Sequence, residues 1–170
     1  MLVERLQKDG INAKLLKFPD RTTAVGKMIH SYLAEGKDLS LQAIHLLFSA
    51  NRWEAMDEMK RLLKEGTVLV VDRYAYSGVA YTSAKGLSMD WCKQSDAGLL
   101  KPDVVFYLDL DPRLASNRGE YGAERYENID LQTKIIDASL QVDEIHNTVF
   151  DSAIKTILNI EDKKFESNLW

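Results

Sequence analysis

The sequence lacks the features of a secreted or membrane-spanning protein. It contains one cysteine, Cys92, so no internal disulfide can form, and this suits a reducing compartment. No apolar run approaches the ~20 residues that a membrane helix needs. Charged side chains interrupt the apolar start of the sequence within residues 1–5, which is not typical of a signal peptide. We therefore expect a cytoplasmic or nuclear protein with no membrane partner.

The sequence also lacks an excess of positive charge. Its 22 Lys and Arg against 26 Asp and Glu give a formal charge of −4, which argues against a nucleic-acid partner but not against a small anion. The histidines His30, His45 and His146 show no metal-ligand spacing, so we interpret them as structural or exposed. There is no internal repeat, linker or low-complexity tract, and 170 residues suit one domain, residues 1–170.

The chain is organised around residues 67–82. Residues 67–71 form an apolar run typical of a strand buried on both faces, and Asp72 and Arg73 follow directly. In an open parallel sheet, ligands bind beyond the carboxyl ends of the strands, where an acid can reach magnesium and an Arg can hold phosphate. A solvated Asp-Arg turn is the alternative reading of this dipeptide alone.

Strands alternate with helices along the chain, which predicts an α/β fold with a parallel sheet. The other expected strands cover residues 13–18, 104–108 and 134–137, and a helical break is expected at residues 51–54. Arg residues at or near the expected strand ends and in a glycine-punctuated loop, residues 118–127, would converge on one crevice, which is costly unless an anion occupies it. The alternative for that loop is a solvated linker.

Phe48 and Arg52 lie four residues apart, so on a continuous helix they share a face. An aromatic ring and a guanidinium on one face could together hold a flat heterocycle. Plain core packing is the alternative for Phe48.

Five segments taken together resemble the thymidylate kinase family of the eukaryotic and poxviral type. They are Phe-Pro-Asp-Arg (18–21), Leu-Leu-Phe-Ser-Ala-Asn-Arg-Trp-Glu (46–54), Val-Asp-Arg-Tyr-Ala-Tyr-Ser-Gly-Val-Ala-Tyr-Thr (71–82), Lys-Pro-Asp-Val-Val (101–105) and Glu-Arg-Tyr-Glu-Asn (124–128). They occur in the family's order over nearly the whole chain. The resemblance implies a P-loop-kinase-like parallel sheet with helices on both faces, and a homodimer.

The resemblance implies transfer of a phosphoryl group from ATP, with Mg²⁺, to dTMP, giving dTDP for dTTP synthesis. Phe48 would stack on thymine and Arg52 would bind its edge. Arg21 and Arg73 would hold the acceptor phosphate, and Asp72 would serve the magnesium and the nucleophile, directly or through water.

The resemblance also implies the rest of the substrate site and a lid over residues 118–127. Tyr81 would crowd the sugar 2′ position and so favour deoxyribose. The remaining substrate-binding residues would be Phe18, Ser77, Gly78 and Thr82, with Tyr126 from the lid. Arg118 and Arg125 of the lid would act as catalytic groups near the phosphates.

Two parts of the family pattern are absent from the 170 residues. No Gly-x-x-x-x-Gly-Lys-Ser/Thr loop occurs, so we expect the first strand and the phosphate loop, which would bind ATP, to be missing. Residues 129–133 are too few for the family's long helix between lid and last strand. As written, the chain is expected to be inactive, and its sequence to be incomplete.

Two alternatives to an enzyme with an incomplete sequence remain open at this stage. One is a non-catalytic remnant, such as a splice product, pseudoenzyme or gene-model fragment, that keeps dTMP binding or dimer contacts. The other is an unstable fragment with no activity. The genomic DNA upstream of Met1 would separate these readings.

Overall fold

A computed structural model describes residues 1–107, 124–127, 150–151, 153–157 and 169. Six helices and two strands with complete bounds follow one another in these residues. They are α1 (Leu2–Lys8), β1 (Ala13–Lys17), α2 (Ala24–Ala34), α3 (Leu41–Glu54), α4 (Met56–Lys64), β2 (Val68–Asp72), α5 (Ala75–Ser83) and α6 (Met89–Gln94). Residues 150–151 and 153–157 are also helical.

β1 and β2 form a parallel pair in which Ala13 faces Val68 and Lys17 faces Asp72. Alternate side chains of β2 enter different clusters: Leu69 and Val71 pack with α4, whereas Val68 and Val70 pack with α1 and the helical residues near 150–157. This alternation is what the two-residue period of a strand requires. The predicted parallel sheet with helices on both faces is therefore confirmed.

A third cluster joins α2 to α3. Its buried members are Ile29, Tyr32, Leu33 and Ile44. Hydroxyl groups fix the start of each helix, because Thr23 accepts the Gly26 N–H and Ser40 accepts the Ala43 N–H. Phe48 lies at the edge of this cluster, so α3 turns its predicted ligand-binding face away from solvent.

Three expectations about the elements were wrong. Residues 104–107 form no strand, and Val104, Val105 and Tyr107 are exposed. A strand needs a hydrogen-bonding neighbour, and the sheet in the described part of the chain consists of β1 paired with β2. β2 is half-buried rather than buried on both faces. The helical break falls at Ala55 and not within residues 51–54, so Arg52 stays on α3.

Some expected features lie outside the described residues. These are the strand at 134–137, lid residues 118–123 with Arg118, and His146. None of the helices in the described part of the chain has the length and apolar character needed to span a bilayer.

Candidate active site

One buried amide fixes the loop that follows β1. Asn51 is 1% exposed, and its Oδ1 accepts the Asp20 N–H at 2.7 Å while its Nδ2 donates to Thr23 Oγ1 at 3.0 Å. The start of α2 lies so close that a Cβ on Gly26 would stand 1.7 Å from the Asp20 carbonyl oxygen, so only glycine fits. The loop, and with it the backbone of Arg21, is thus held against α2 and α3.

A cavity of about 280 Å³ lies beyond the carboxyl ends of β1 and β2, bordered by α2, α3, α5 and lid residues 124–127. Its volume is close to the lower end of the range for small-molecule sites. All ten residues predicted to bind substrate line it: Phe18, Arg21, Phe48, Arg52, Arg73, Ser77, Gly78, Tyr81, Thr82 and Tyr126. The structure brings these residues together, and their individual roles stay predictions.

Aromatic rings line part of the cavity wall. Tyr126 stacks on Tyr81 with ring centroids 5.3 Å apart and an interplanar angle of 13°. Its ring also lies 6.2 Å from that of Phe48. Phe48, Tyr81 and Tyr126 come from α3, α5 and the lid, so three separate segments build one aromatic wall suited to a flat ring.

Cationic side chains line the cavity as well. Lys17 and Arg73 follow the two strands, and Arg21 comes from the loop after β1. Arg21 Nη2 donates to Glu124 Oε1 of the lid at 2.6 Å, an exposed pair that gives little net stability. Three cations at one strand edge suit an anionic group of a ligand.

The turn between β2 and α5 is sharp, and two of its residues are unusual. Arg73 has φ of 63°, in the left-handed region that a non-glycine residue rarely adopts. Tyr74 is 9% exposed and lines the cavity, yet its hydroxyl has no hydrogen-bond partner among the described residues. Burial raises the pKa of Tyr74 to about 12. Backbone strain and an orphaned hydroxyl beside a cavity are typical of a ligand site.

Arg52 is 2% exposed and forms a bidentate ion pair with Asp96, which is fully buried. Its Nε donates to Asp96 Oδ1 at 3.1 Å, and its Nη2 donates to Oδ1 at 2.9 Å and to Oδ2 at 2.7 Å. A buried guanidinium without such a partner would be strongly destabilising. Asp96 therefore explains how an Arg can sit on the predicted ligand-binding face of α3.

His45 on α3 is buried and structural, as one of the two expectations for the histidines had it. Its Nδ1 lies 2.9 Å from Thr82 Oγ1 and its Nε2 lies 2.8 Å from the Cys92 carbonyl oxygen. Because a carbonyl only accepts, Nε2 carries the proton and the Thr82 hydroxyl donates to Nδ1. Burial lowers the pKa of His45, so the neutral ring is the stable form.

We expect acid to destabilise the protein through His45. The pKa of His45 is lowered on folding, so below about pH 6.5 the unfolded chain binds a proton that the folded chain resists. The free energy of unfolding should fall as pH drops from 7 to 5.5, by at most about 1.4 kcal/mol per pH unit from this group. Thermal unfolding of His45→Gln should show a shallower pH dependence, with His30→Gln as the control. Equal slopes for His45→Gln and wild type would refute this expectation.

Lys85, two residues after the end of α5, lies against the lid. Its Nζ is 3.5 Å from the centroid of the Tyr126 ring and 5.9 Å from that of Tyr32. Burial, aided by the nearby Arg125 charge, lowers the pKa of Lys85 to about 8. Burial also raises the pKa of Tyr126, so its phenol stays neutral. The cation on the ring face helps to hold Tyr126 at the cavity.

Of the three remaining predicted residues, Asp72 and Arg125 do not line the cavity. Asp72 ends β2 with an exposed carboxylate, 3.8 Å from Lys17 Nζ. Arg125 turns away, since its Nη1 donates to Asp38 at 2.8 Å and its guanidinium lies 4.2 Å from the Tyr32 ring centroid. Arg118 lies outside the described residues.

Sequence reasoning missed Asp96, Lys85 and Glu124 as parts of the site. Asp96 occurs in a mixed segment, and only the need of a buried Arg52 for a counter-charge could have indicated that such an acid exists. Nothing in the sequence says which acid it is. Lys85 contacts the Tyr126 ring of the lid, and Glu124 of the lid accepts from Arg21. No local sequence pattern indicates such long-range contacts.

Comparisons with known proteins agree with this geometry. The sequence pattern of the family described as thymidylate kinase matches residues 1–138. The thymidylate kinase of Danio rerio is 44% identical over 187 positions, which cover 99% of this chain and 88% of the relative. That of Homo sapiens is 44% identical over 91% of this chain and 83% of the relative. A solved thymidylate kinase structure from Candida albicans superposes with a TM-score of 0.79 at 34% identity, over 90% of this chain and 85% of that one.

The alignment with the Danio rerio protein has more positions than this chain has residues, so that relative carries residues that are absent here. The match nevertheless spans the strand edge, the α3 face and the α5 face that build the cavity. The chain belongs to the thymidylate kinase family.

Proposed function

We propose that the protein transfers the terminal phosphoryl group of ATP to the phosphate of dTMP, giving dTDP. The observation that carries this proposal is the cavity in which an aromatic wall and a directed Arg52 accompany the three cations of a strand edge. A nucleoside monophosphate needs both features in one site. The alternative of a non-catalytic remnant is not favoured, because family matches cover nearly the whole chain.

In this proposal, Phe48 stacks on thymine and Arg52 donates to the edge of the base. Ser77, Gly78 and Thr82 border the base on the α5 side, and Phe18 closes the floor with its ring 5.8 Å from Tyr74. The Thr82 hydroxyl is directed to His45, so Thr82 contributes shape rather than a free donor.

Arg21 and Arg73 hold the acceptor phosphate. Arg21 must exchange the Glu124 carboxylate for phosphate oxygens, which is feasible because the pair is exposed and weak. Phosphoryl transfer needs little covalent chemistry from the protein, so positioning and charge neutralisation are the main contributions of these side chains.

Asp72 is the described residue best suited to magnesium. Among the described residues no group of three His, Cys, Asp or Glu could hold a metal, which fits Mg²⁺ because it uses one or two carboxylates together with substrate phosphates. The ion would neutralise charge that develops on the phosphates. Arg118 and Arg125 would assist from the lid, and Arg125 would first have to leave Asp38.

We also propose a homodimer. Leu46 and Trp53 lie seven residues apart on one face of α3 and are 49% and 41% exposed. Trp91 of α6 is also exposed, and its ring centroid lies 5.4 Å from that of His45 on α3. The Trp53 indole donates to the Ser95 carbonyl, so the α3 and α6 residues form one apolar strip. Light scattering of the purified protein should give twice the chain mass. A monomer at micromolar concentration would contradict the proposal. The cytoplasmic or nuclear location stays a prediction.

The test of the function uses the full-length gene product. ADP formation from ATP and Mg²⁺ should depend on dTMP, and dCMP, dGMP and dAMP should support little turnover. Equal turnover with all four monophosphates, or none with dTMP, would contradict the proposal. A Phe48→Ala variant should raise KM for dTMP, since the stacked ring is lost.

We expect Tyr81 to select the sugar. Its ring lies in the aromatic wall of the cavity. In the proposed pose we expect this ring to leave no room for a 2′ hydroxyl. In Tyr81→Ala, kcat/KM for the ribo analogue relative to dTMP should rise roughly ten- to a hundredfold, the usual scale of steric discrimination. Steady-state kinetics with both nucleotides measures this ratio.

Tyr126→Ala is the matched control for Tyr81→Ala. It removes the stacking partner of Tyr81 but leaves the ring that excludes the hydroxyl. The kcat/KM values for both nucleotides should then fall together, with their ratio unchanged. A ratio that moves in Tyr126→Ala but not in Tyr81→Ala would assign sugar selection to the lid instead.

A further inference from the structure

We infer that Asp96 is a positioning residue that sets base selectivity. By fixing the orientation of Arg52, Asp96 makes it a hydrogen-bond donor that favours a base with a carbonyl at its edge. The inference rests on the proposed function and names a residue outside the predicted site. Its starting point is the bidentate pair, in which Asp96 engages Nε and Nη2 of Arg52. Arg52 lines the cavity, and no described residue accepts a hydrogen bond from its Nη1.

The guanidinium is also held from a second side. A Cβ built on Gly78 of α5 would lie 3.1 Å from Arg52 Nη2 and 3.3 Å from Nη1, closer than ordinary van der Waals contact. The absence of a side chain at Gly78 therefore lets α5 pack directly on the guanidinium. Between Asp96 and Gly78, the plane of Arg52 has little freedom, and Nη1 keeps one direction.

Asp96 is itself firmly anchored to α3. The neighbouring Ser95 carbonyl accepts hydrogen bonds from Ser49 Oγ and from the Trp53 indole, both at 2.8 Å. The Asp96 N–H donates to the Lys93 carbonyl at 3.1 Å. The acid and the Arg it orients are thus tied to the same helix, so their relative position does not depend on the lid.

Charge neutralisation gives the pair its selectivity. Asp96 cancels the charge of Arg52 locally, so Arg52 acts as a directed donor rather than as one more cation for the phosphate. A base with a carbonyl at the facing position satisfies Nη1. A base with an amino group there places its own donor against Arg52 Nη1, so both buried groups stay unpaired. Polar sites discriminate most strongly against ligands that leave buried groups unpaired.

The test compares dTMP with 5-methyl-dCMP, which differ along one edge of the base. Thymine has a carbonyl at C4 and an N–H donor at N3, whereas 5-methylcytosine has an amino group at C4 and an acceptor at N3. Calorimetric titration of the full-length protein should show dTMP binding at least about tenfold more tightly. In Asp96→Asn, which keeps the size of the side chain, that preference should fall at least about tenfold. Affinity for 5-methyl-dCMP should change far less than affinity for dTMP.

Loss of a buried charge can destabilise the fold, so two further variants are needed. Leu6→Ala or Leu6→Val, in a buried cluster away from the cavity, supplies a control with a comparable loss of Tm. That control should keep the full preference. Gly78→Ala keeps both partners of the ion pair but crowds the guanidinium, and it should lower the preference in the same direction if Asp96→Asn does not fold.

The outcomes separate the inference from the proposed function. Equal weakening of both nucleotides in Asp96→Asn, or an unchanged preference in both Asp96→Asn and Gly78→Ala, would overturn the inference and leave dTMP binding standing. Wild-type protein that binds dTMP but does not prefer it over 5-methyl-dCMP would also overturn it. Wild-type protein that binds neither nucleotide would instead contradict the proposed function.

Discussion

Residues 1–170, expressed alone, are expected to form no ADP from ATP in response to dTMP. ATP phosphates need a cradle of backbone N–H groups and a Lys that reaches the β and γ oxygens, and the 170 residues contain no such glycine-rich loop. Loss of one preorganised donor costs about 2.7–4 kcal/mol of transition-state stabilisation, so loss of the whole loop should abolish turnover. A coupled assay for ADP with Mg²⁺ measures this.

The comparison must exclude host kinases. A mock purification from the same host gives the background, and the full-length gene product run in parallel gives the activity of the family's complete site. Activity of residues 1–170 above the mock level that rises with dTMP would mean that some other segment cradles ATP. It would also make the expected absence of the loop irrelevant to catalysis.

The second large effect is expected for Arg73→Lys in the full-length protein. Arg73 follows β2 in a left-handed backbone conformation and lines the cavity with its guanidinium 5.8 Å from the Tyr81 ring centroid. A single ammonium cannot reproduce a bidentate hold on the acceptor phosphate. We expect kcat/KM for dTMP to fall on the order of a hundredfold, the scale of one charged donor.

Arg61→Lys is the matched control for Arg73→Lys. Arg61 lies on the exposed face of α4 between Glu58 and Glu65, remote from the cavity lining. The same chemical change there should leave turnover unaltered, because exposed ion pairs contribute little. Wild-type turnover by Arg73→Lys would remove Arg73 from the acceptor site.

Local patterns predicted the parts of the site that depend on the position of a residue within its own element. The apolar run before Asp72 indicated a strand, and Arg73 therefore fell at its carboxyl end, where α/β folds bind ligands. The four-residue spacing of Phe48 and Arg52 placed both on one face of α3, and both line the cavity. In each case a single helix or strand carries the information.

Contacts between segments that are distant in the sequence could not be predicted from it. The partner of Arg52 is Asp96, 44 residues along the chain, and no spacing rule links the two. Residues 104–107 of the expected strand form none for a related reason, because an apolar run of this kind forms a strand only beside a neighbour. Pairing, whether of charges or of strands, is a property of the folded whole.

The lid illustrates the same limit. The family resemblance implied that Arg125 lies near the phosphates, but Arg125 pairs with Asp38 in the segment after α2, while Tyr126 and Glu124 reach the cavity. Neighbouring residues point in different directions because residues 124–127 lie against α2 and α5. The Arg125 N–H donates to the Leu33 carbonyl at 3.1 Å and fixes that orientation.

The most direct test of the proposed site is the ratio of affinities for dTMP and thymidine, measured by calorimetric titration of the full-length protein. The two ligands share base and sugar and differ only in the phosphate. If Arg21 and Arg73 hold that phosphate, dTMP should bind at least about tenfold more tightly, and Arg21→Gln should erase most of the difference while thymidine affinity stays constant. Equal affinities in the wild type, or an unchanged ratio in Arg21→Gln, would contradict the assignment of this cavity to dTMP.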